Sequence, residues 1–338
     1  MIKFSDILGQ DTAIDSLRLA LSKDRLPHGL IFGGPVGVGK ATTARALAGA
    51  FLCETPRDAD ACGVCESCRL IGSDTHPDLH FVYRQLIRLT KEESKARDLT
   101  IDVVREYLLA PAGMRTAMGR GKVFIVDEAE LMNTGAQNAL LKVLEEPAGR
   151  TLLILLTPQP GALLQTIRSR CQTMLFGALS EDVVARELSN RKIDAAVALS
   201  AGRLAAGSLG LALKWIEDGV VERAIELEQR IDSILAGRGS DDLADWLKKS
   251  SDAYAEKQLG RDELASKDQA AREGLALFMQ LAGQHIRFRL RDTDDPDALE
   301  RLCDAIDTLA RADQYIDANV GIALTLQDLS ASLESAMQ

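Results

Sequence analysis

Apolar positions recur at helical spacing from Ile14 to Leu21 and stop at Pro27-His28-Gly29. They then close up into an unbroken run, Leu30-Ile31-Phe32, that has the length and composition of a buried strand. A glycine-rich turn follows, and residues 41–52 (ATTARALAGAFL) are strong helix formers. The local order is therefore strand, glycine loop, helix. Two more apolar runs, VFIV in VFIVDEAE (123–130) and TLLILLT (151–157), flank a helical pattern that extends through ALLKVLEEP (139–147). Strands that alternate with helices and lack an in-out alternation predict an α/β domain with a parallel sheet covered on both faces. Beyond about residue 178 no strand-like run recurs and Ala, Leu, Glu and Arg dominate. A boundary near residue 177 between an α/β part and an all-helical part is expected.

Composition narrows the class. The chain has 338 residues, 46% of them hydrophobic and 27% charged, which fits globular domains rather than a disordered or fibrous chain. Forty Lys and Arg against fifty Asp and Glu give a formal net charge of -10, so no global basic field draws the chain onto nucleic acid. The opening MIKFSDILGQ lacks the apolar core of an export signal and no apolar run approaches the length of a membrane span, so a cytoplasmic location is expected.

Candidate chemistry sits at four places. Gly34-Pro-Val-Gly37-Val-Gly39-Lys40 matches the P-loop, whose backbone N–H groups cradle phosphates while the lysine reaches their outer charge. Gly34, Gly37, Gly39 and Lys40 are thus candidate nucleotide-binding residues. The next residue should carry a hydroxyl for Mg²⁺ and is Ala41; Thr42 lies about 100° further around the helix. Nucleotide binding with weak Mg²⁺ handling and poor hydrolysis is the expectation. Asp127 and Glu128 end the strand VFIV in a Walker B arrangement, where the first carboxylate would orient Mg²⁺ and the second would polarise a water. Thr157, ending TLLILLT, either points a hydroxyl at a nucleotide phosphate or caps the strand before Pro158.

Cys53-x8-Cys62-x2-Cys65-x2-Cys68 supplies four thiolates for a closed tetrahedral site, which suits structural Zn²⁺; an iron–sulfur cluster is the chemical alternative. Little apolar sequence surrounds these cysteines, so bound metal would supply local folding energy. Near the end of the α/β part, Arg168 and Arg170 offer guanidinium groups suited to phosphate, or to a surface ion pair.

Taken in order, Gly9-Gln10, Pro27-His28, the P-loop, the four-cysteine insertion, VDEAELMNTGAQNALLKVLEEP and Ser169-Arg170-Cys171 resemble the bacterial replicative clamp loader branch of the AAA+ proteins, over about the first 175 residues. The resemblance implies an AAA+ domain over residues 1–177 with a zinc module at about 53–68, a small helical lid over 178–220, and a helical collar over 221–338. Motor members of the branch carry Thr or Ser where this chain has Ala41, and an arginine where it has Gly210. The departures imply a non-motor subunit that assembles with gamma/tau and delta subunits to load a sliding clamp on primed DNA. Arg170 would then serve as an arginine finger on a neighbour's ATP, with Glu128 vestigial or weak. An active, gamma-like ATPase is the competing expectation.

Overall fold

A computed structural model describes residues 1–91, 96–239, 242–261, 266–317 and 321–335. It divides into two compact units, Met1–Ile193 with Ala205–Ala212, and Asp194–Leu204 with Leu213–Gln338.

In the first unit, α1 (Asp11–Ser22) precedes β1 (Gly29–Gly33), α2 (Lys40–Leu52), α3 (Glu66–Gly72) and β2 (Leu79–Val82). Next comes a helical run of α4 (Ile101–Val104), a π-helical turn (Arg105–Leu109) and α5 (Ala110–Gly113). Then follow β3 (Lys122–Val126), α6 (Thr134–Glu145), β4 (Thr151–Thr157), α7 (Gln165–Arg168), β5 (Gln172–Leu175) and α8 (Glu181–Asn190). The strands form one parallel sheet in the order β2-β3-β4-β1-β5. Every residue of β1, β3 and β4 is buried, as their unbroken apolar runs require, whereas the four-residue β2 and β5 lie at the edges. Burial of Phe32, Leu47, Ile125 and Ile154 in one core joins α2 to the sheet, each side chain contributing about 1.5–3 kcal/mol. The alanines of α2 let the helix sit close to the strands.

One buried acid fastens the β2 edge. Asp78, 2% exposed, accepts the backbone N–H groups of Ala117 and Met118, both at 2.8 Å. Asp78→Ala leaves two donors unpaired beside the edge strand and is expected to cost about 2–3 kcal/mol, read as a lower urea midpoint at unchanged slope.

The second unit is helical among its described residues: α9 (Ala195–Leu204), most of α10 (Leu209–Glu217), α11 (Val220–Leu235), α12 (Leu243–Arg261), α13 (Lys267–Arg291), α14 (Pro296–Asp317) and α15 (Ile322–Ser335). Trp246 meets Phe278 edge-on at 5.5 Å in its core, and the buried Asp218 carboxylate is held by Gln258 and Arg261. No helix among the described residues is long and apolar enough to cross a membrane.

Candidate functional site

The loop between β1 and α2 forms where parallel strands end and a helix begins, so its N–H groups face the mouth of the sheet. Gly34, Gly37 and Gly39 have φ of 144°, 75° and 102°, conformations that side chains rarely adopt. Gly39 caps α2, and Thr43 Oγ1 donates back to the Gly39 carbonyl at 2.8 Å. Lys40 is buried, and its Nζ donates to the carbonyls of Gly34 and Pro35 at 2.5 and 2.6 Å. Burial lowers its pKa, against the opposing pull of Asp127 and Glu130. The lysine is folded onto its own loop and must exchange these carbonyls for phosphate oxygens to serve a nucleotide. Thr42 is half-buried, and Ala41, exposed in the first turn of α2, presents only a methyl group.

Neighbouring segments clasp the loop. Gln10 Nε2 donates to the carbonyls of Val38 (3.0 Å) and Gly177 (2.8 Å), and Gly177 N–H donates to Gln10 Oε1 at 3.2 Å, which gives the Gly9-Gln10 signature a physical role. The Gly34 N–H donates to the Thr157 carbonyl. The Gly210 N–H donates to the Gly37 carbonyl at 3.1 Å, and a Cβ at residue 210 would fall 2.7 Å from that oxygen. Gly210 therefore packs backbone to backbone on the P-loop.

Asp127 and Glu128 follow β3 as the sequence predicts. Asp127 is exposed; its Oδ1 accepts the Glu128 N–H at 2.9 Å. Glu128 has a left-handed backbone (φ 50°), and its Oε2 accepts Arg84 Nε at 2.8 Å. Arg84, 7% exposed, also donates to the Ala96 carbonyl. The carboxylate that would activate water is thus engaged by a buried guanidinium, a partner 44 positions away that no local pattern announced. Thr157 is fully buried and its Oγ1 accepts the Gln159 N–H at 3.0 Å, the strand-capping arrangement.

Arg170 does not join these groups. It follows α7, its Nη2 lies 2.6 Å from Glu145 Oε1, and its side chain is 37% exposed.

The four cysteines come together. Their Sγ atoms lie within 4.8 Å of one another, with Cys53–Cys65, Cys62–Cys68 and Cys53–Cys68 at 3.9, 3.8 and 3.7 Å. A tetrahedron with bonds of about 2.3 Å has edges of about 3.8 Å, which these three separations match, so the set suits a zinc-sized ion. Backbone N–H groups of Cys62, Cys65 and Cys68 point at the sulfurs of Cys53, Cys62 and Cys65 at 3.3–3.4 Å, donors that favour thiolates. The Thr55 hydroxyl and the Val64 and Cys65 N–H groups pull the Cys62 thiol down to about 5, while burial pushes those of Cys53 and Cys68 up. A metal ion must displace the protons that burial keeps on the latter two.

A P-loop after the first strand of a parallel sheet ordered 5-1-4-3-2, with an acidic pair after the third, gives the first unit the P-loop fold of the AAA+ class. Residues 9–180 match the family described as DNA polymerase III, delta subunit, and the chain belongs to that family. Among curated relatives, DNA polymerase III subunit delta′ of Pseudomonas aeruginosa is 36% identical over 62% of this chain and 61% of its own length. The delta′ subunit of Bacillus subtilis is 35% identical over 52% of this chain and 49% of its own, and the tau subunit of Salmonella typhimurium is 32% identical over 71% and 37%. The aligned stretches thus span less than two thirds of each of these relatives.

Proposed function

We propose that this chain is a delta prime-type, non-motor subunit of a bacterial clamp loader, a cytoplasmic component of the DNA polymerase III assembly. The single observation that carries this is Ala41: the position that should offer Mg²⁺ a hydroxyl offers a methyl group. Gly210 against Gly37 and Arg84 on Glu128 support the same conclusion. The P-loop N–H groups and Lys40 suit phosphate, so nucleotide binding fits these residues and Mg²⁺-dependent hydrolysis does not. Gamma/tau and delta subunits are the partners, and the sliding clamp and primed DNA are engaged through the assembly, with which a net charge of -10 is compatible. Residues 178–220 and 221–338 serve as lid and collar. The Cys53, Cys62, Cys65 and Cys68 site holds structural Zn²⁺.

Arg170 acts in trans. A nucleotide on the P-loop sits beyond the C-terminal end of β1, whereas the Arg170 carbonyl lies beside Gly29 at the other end of that strand. A guanidinium so placed serves a neighbour's triphosphate, where it stabilises the charge that develops on the transferred phosphoryl group.

Lys40, Asp127 and Glu128 remain in place, which favours the second reading, a gamma-like ATPase. Turnover by the purified chain separates the two. The isolated chain with Mg-ATP is expected to show no hydrolysis above background, alone or with primed DNA; robust turnover abolished by Glu128→Gln would make it a motor.

A further inference from the structure

Three sequence signatures that the nucleotide site does not use meet at the start of β1. Pro27-His28-Gly29 brings the His28 ring, whose Nε2 lies 2.7 Å from the Leu144 carbonyl oxygen. The C-terminal end of α6, within the VLEEP signature, brings Leu144 and Glu145. Ser169-Arg170-Cys171 brings the guanidinium. Gly29 is where the three touch: a Cβ there would stand 2.8 Å from Leu144 Cδ2, 2.9 Å from Cys171 Sγ and 3.3 Å from the Arg170 carbonyl oxygen. Only a glycine lets the segment around Arg170 approach β1 this closely. Burial pushes the Cys171 thiol up to about 12, in keeping with a sulfur packed against the strand.

The side chain of Arg170 is held as well as its backbone. Its Nη2 meets Glu145 Oε1 at 2.6 Å and its Nη1 donates to the Thr166 carbonyl at 3.0 Å. A guanidinium has five N–H donors, so these two contacts orient the fork and leave the others for an incoming anion. An exposed ion pair of this kind contributes little to folding. Its geometric effect is larger, because a displacement of about 1 Å in a group that contacts a reacting phosphate can slow turnover by about 10²-fold.

We propose that Gly29, Leu144 and Glu145 are positioning residues that set where Arg170 projects its guanidinium toward a triphosphate bound by the neighbouring subunit. This rests on Arg170 acting in trans. It deepens that role by giving the histidine-glycine and LEEP signatures a shared purpose, a cradle for the finger.

The test uses the full chain reconstituted with gamma/tau and delta subunits, clamp and primed DNA, with kcat and KM for ATP measured separately. With the other motor sites silenced by loss of their P-loop lysine, Glu145→Gln and Gly29→Ala are each expected to lower kcat at the neighbouring site about tenfold, a partial misplacement, with KM unchanged. Glu145→Gln should melt at the wild-type temperature. Adding Cys171→Ala to Gly29→Ala removes one of the two side-chain contacts under 3 Å, with Leu144 Cδ2 still 2.8 Å away, and should restore part of the lost kcat. If Arg170→Ala slows the assembly while Glu145→Gln and Gly29→Ala turn over as wild type, the cradle is overturned and the finger stands. A Gly29→Ala loss that Cys171→Ala does not lessen at all, or that appears in KM, also overturns it. Unchanged turnover with Arg170→Ala removes both.

Discussion

Arg170→Ala in the reconstituted assembly is expected to lower hydrolysis at the one neighbouring site that Arg170 faces by about 10³-fold, the low end of what a trans arginine contributes to phosphoryl transfer. On the trans assignment any other ATP sites of the assembly are untouched, so the bulk rate loses only that site's share. Motor subunits whose remaining sites lack the P-loop lysine isolate the term and reveal the full factor. The variant should fold normally, since Arg170 is 37% exposed and its pairing with Glu145 at 2.6 Å is worth at most about 1 kcal/mol at a solvated position. Loss of turnover with an unchanged melting temperature is therefore the signature. Arg170→Lys separates charge from geometry: a lysine keeps the charge but cannot span both Glu145 and the Thr166 carbonyl while presenting a planar fork, so it should recover little. Wild-type turnover in Arg170→Ala would end the trans assignment.

What sequence reveals here follows from how local each feature is. The glycine loop, the acidic pair and the four cysteines are short segments that depend on neighbours in the chain; the loop glycines take left-handed backbones, the acidic pair follows β3, and the cysteines cluster. The central strands were equally legible, because a strand buried on both faces must be apolar throughout. The edge strands β2 (LHFV) and β5 (QTML) were not, since a four-residue strand with one solvated side has neither the length nor the run to stand out. Long-range pairings were hidden altogether. Arg84 reaches Glu128 across 44 positions, and Gln10 reaches Gly177 across 167; tertiary structure alone creates such contacts. Gly210 illustrates an intermediate case. The resemblance implies an arginine at this position in motor members, and the structure adds that the Gly210 backbone lies against Gly37, where a larger residue would collide with the loop carbonyl. Restoring the arginine by mutation would thus disturb the P-loop before it could help a phosphate.

The second large effect concerns metal. Stripping the chain with a chelator, or replacing Cys68 by Ser, is expected to unfold the segment from Cys53 to about residue 72 while the sheet survives. The module has almost no core of its own: its buried apolar cluster comprises Cys53, Ala61 and Cys68, with Cys62 and Cys65 packed against it. Structural Zn²⁺ sites contribute about 10–16 kcal/mol of apparent binding energy near neutral pH, far more than such a cluster can supply. Unfolding should stop at the sheet, because β3, β4 and β1 share a large core to which the segment contributes only Ile71. Thiol reactivity reads the transition directly. With metal bound, Cys303, which is exposed, should react at once, Cys171 slowly because burial raises it to about 12, and the four ligands hardly at all. After chelation, four further thiols should become reactive, accompanied by release of one zinc per chain. Affinity should fall as pH falls, since protons compete for the Cys53 and Cys68 sulfurs whose thiols burial already favours. Metal analysis that returns iron would transfer the site to a cluster. Four reactive thiols before chelation would mean that the tetrahedron closes on nothing.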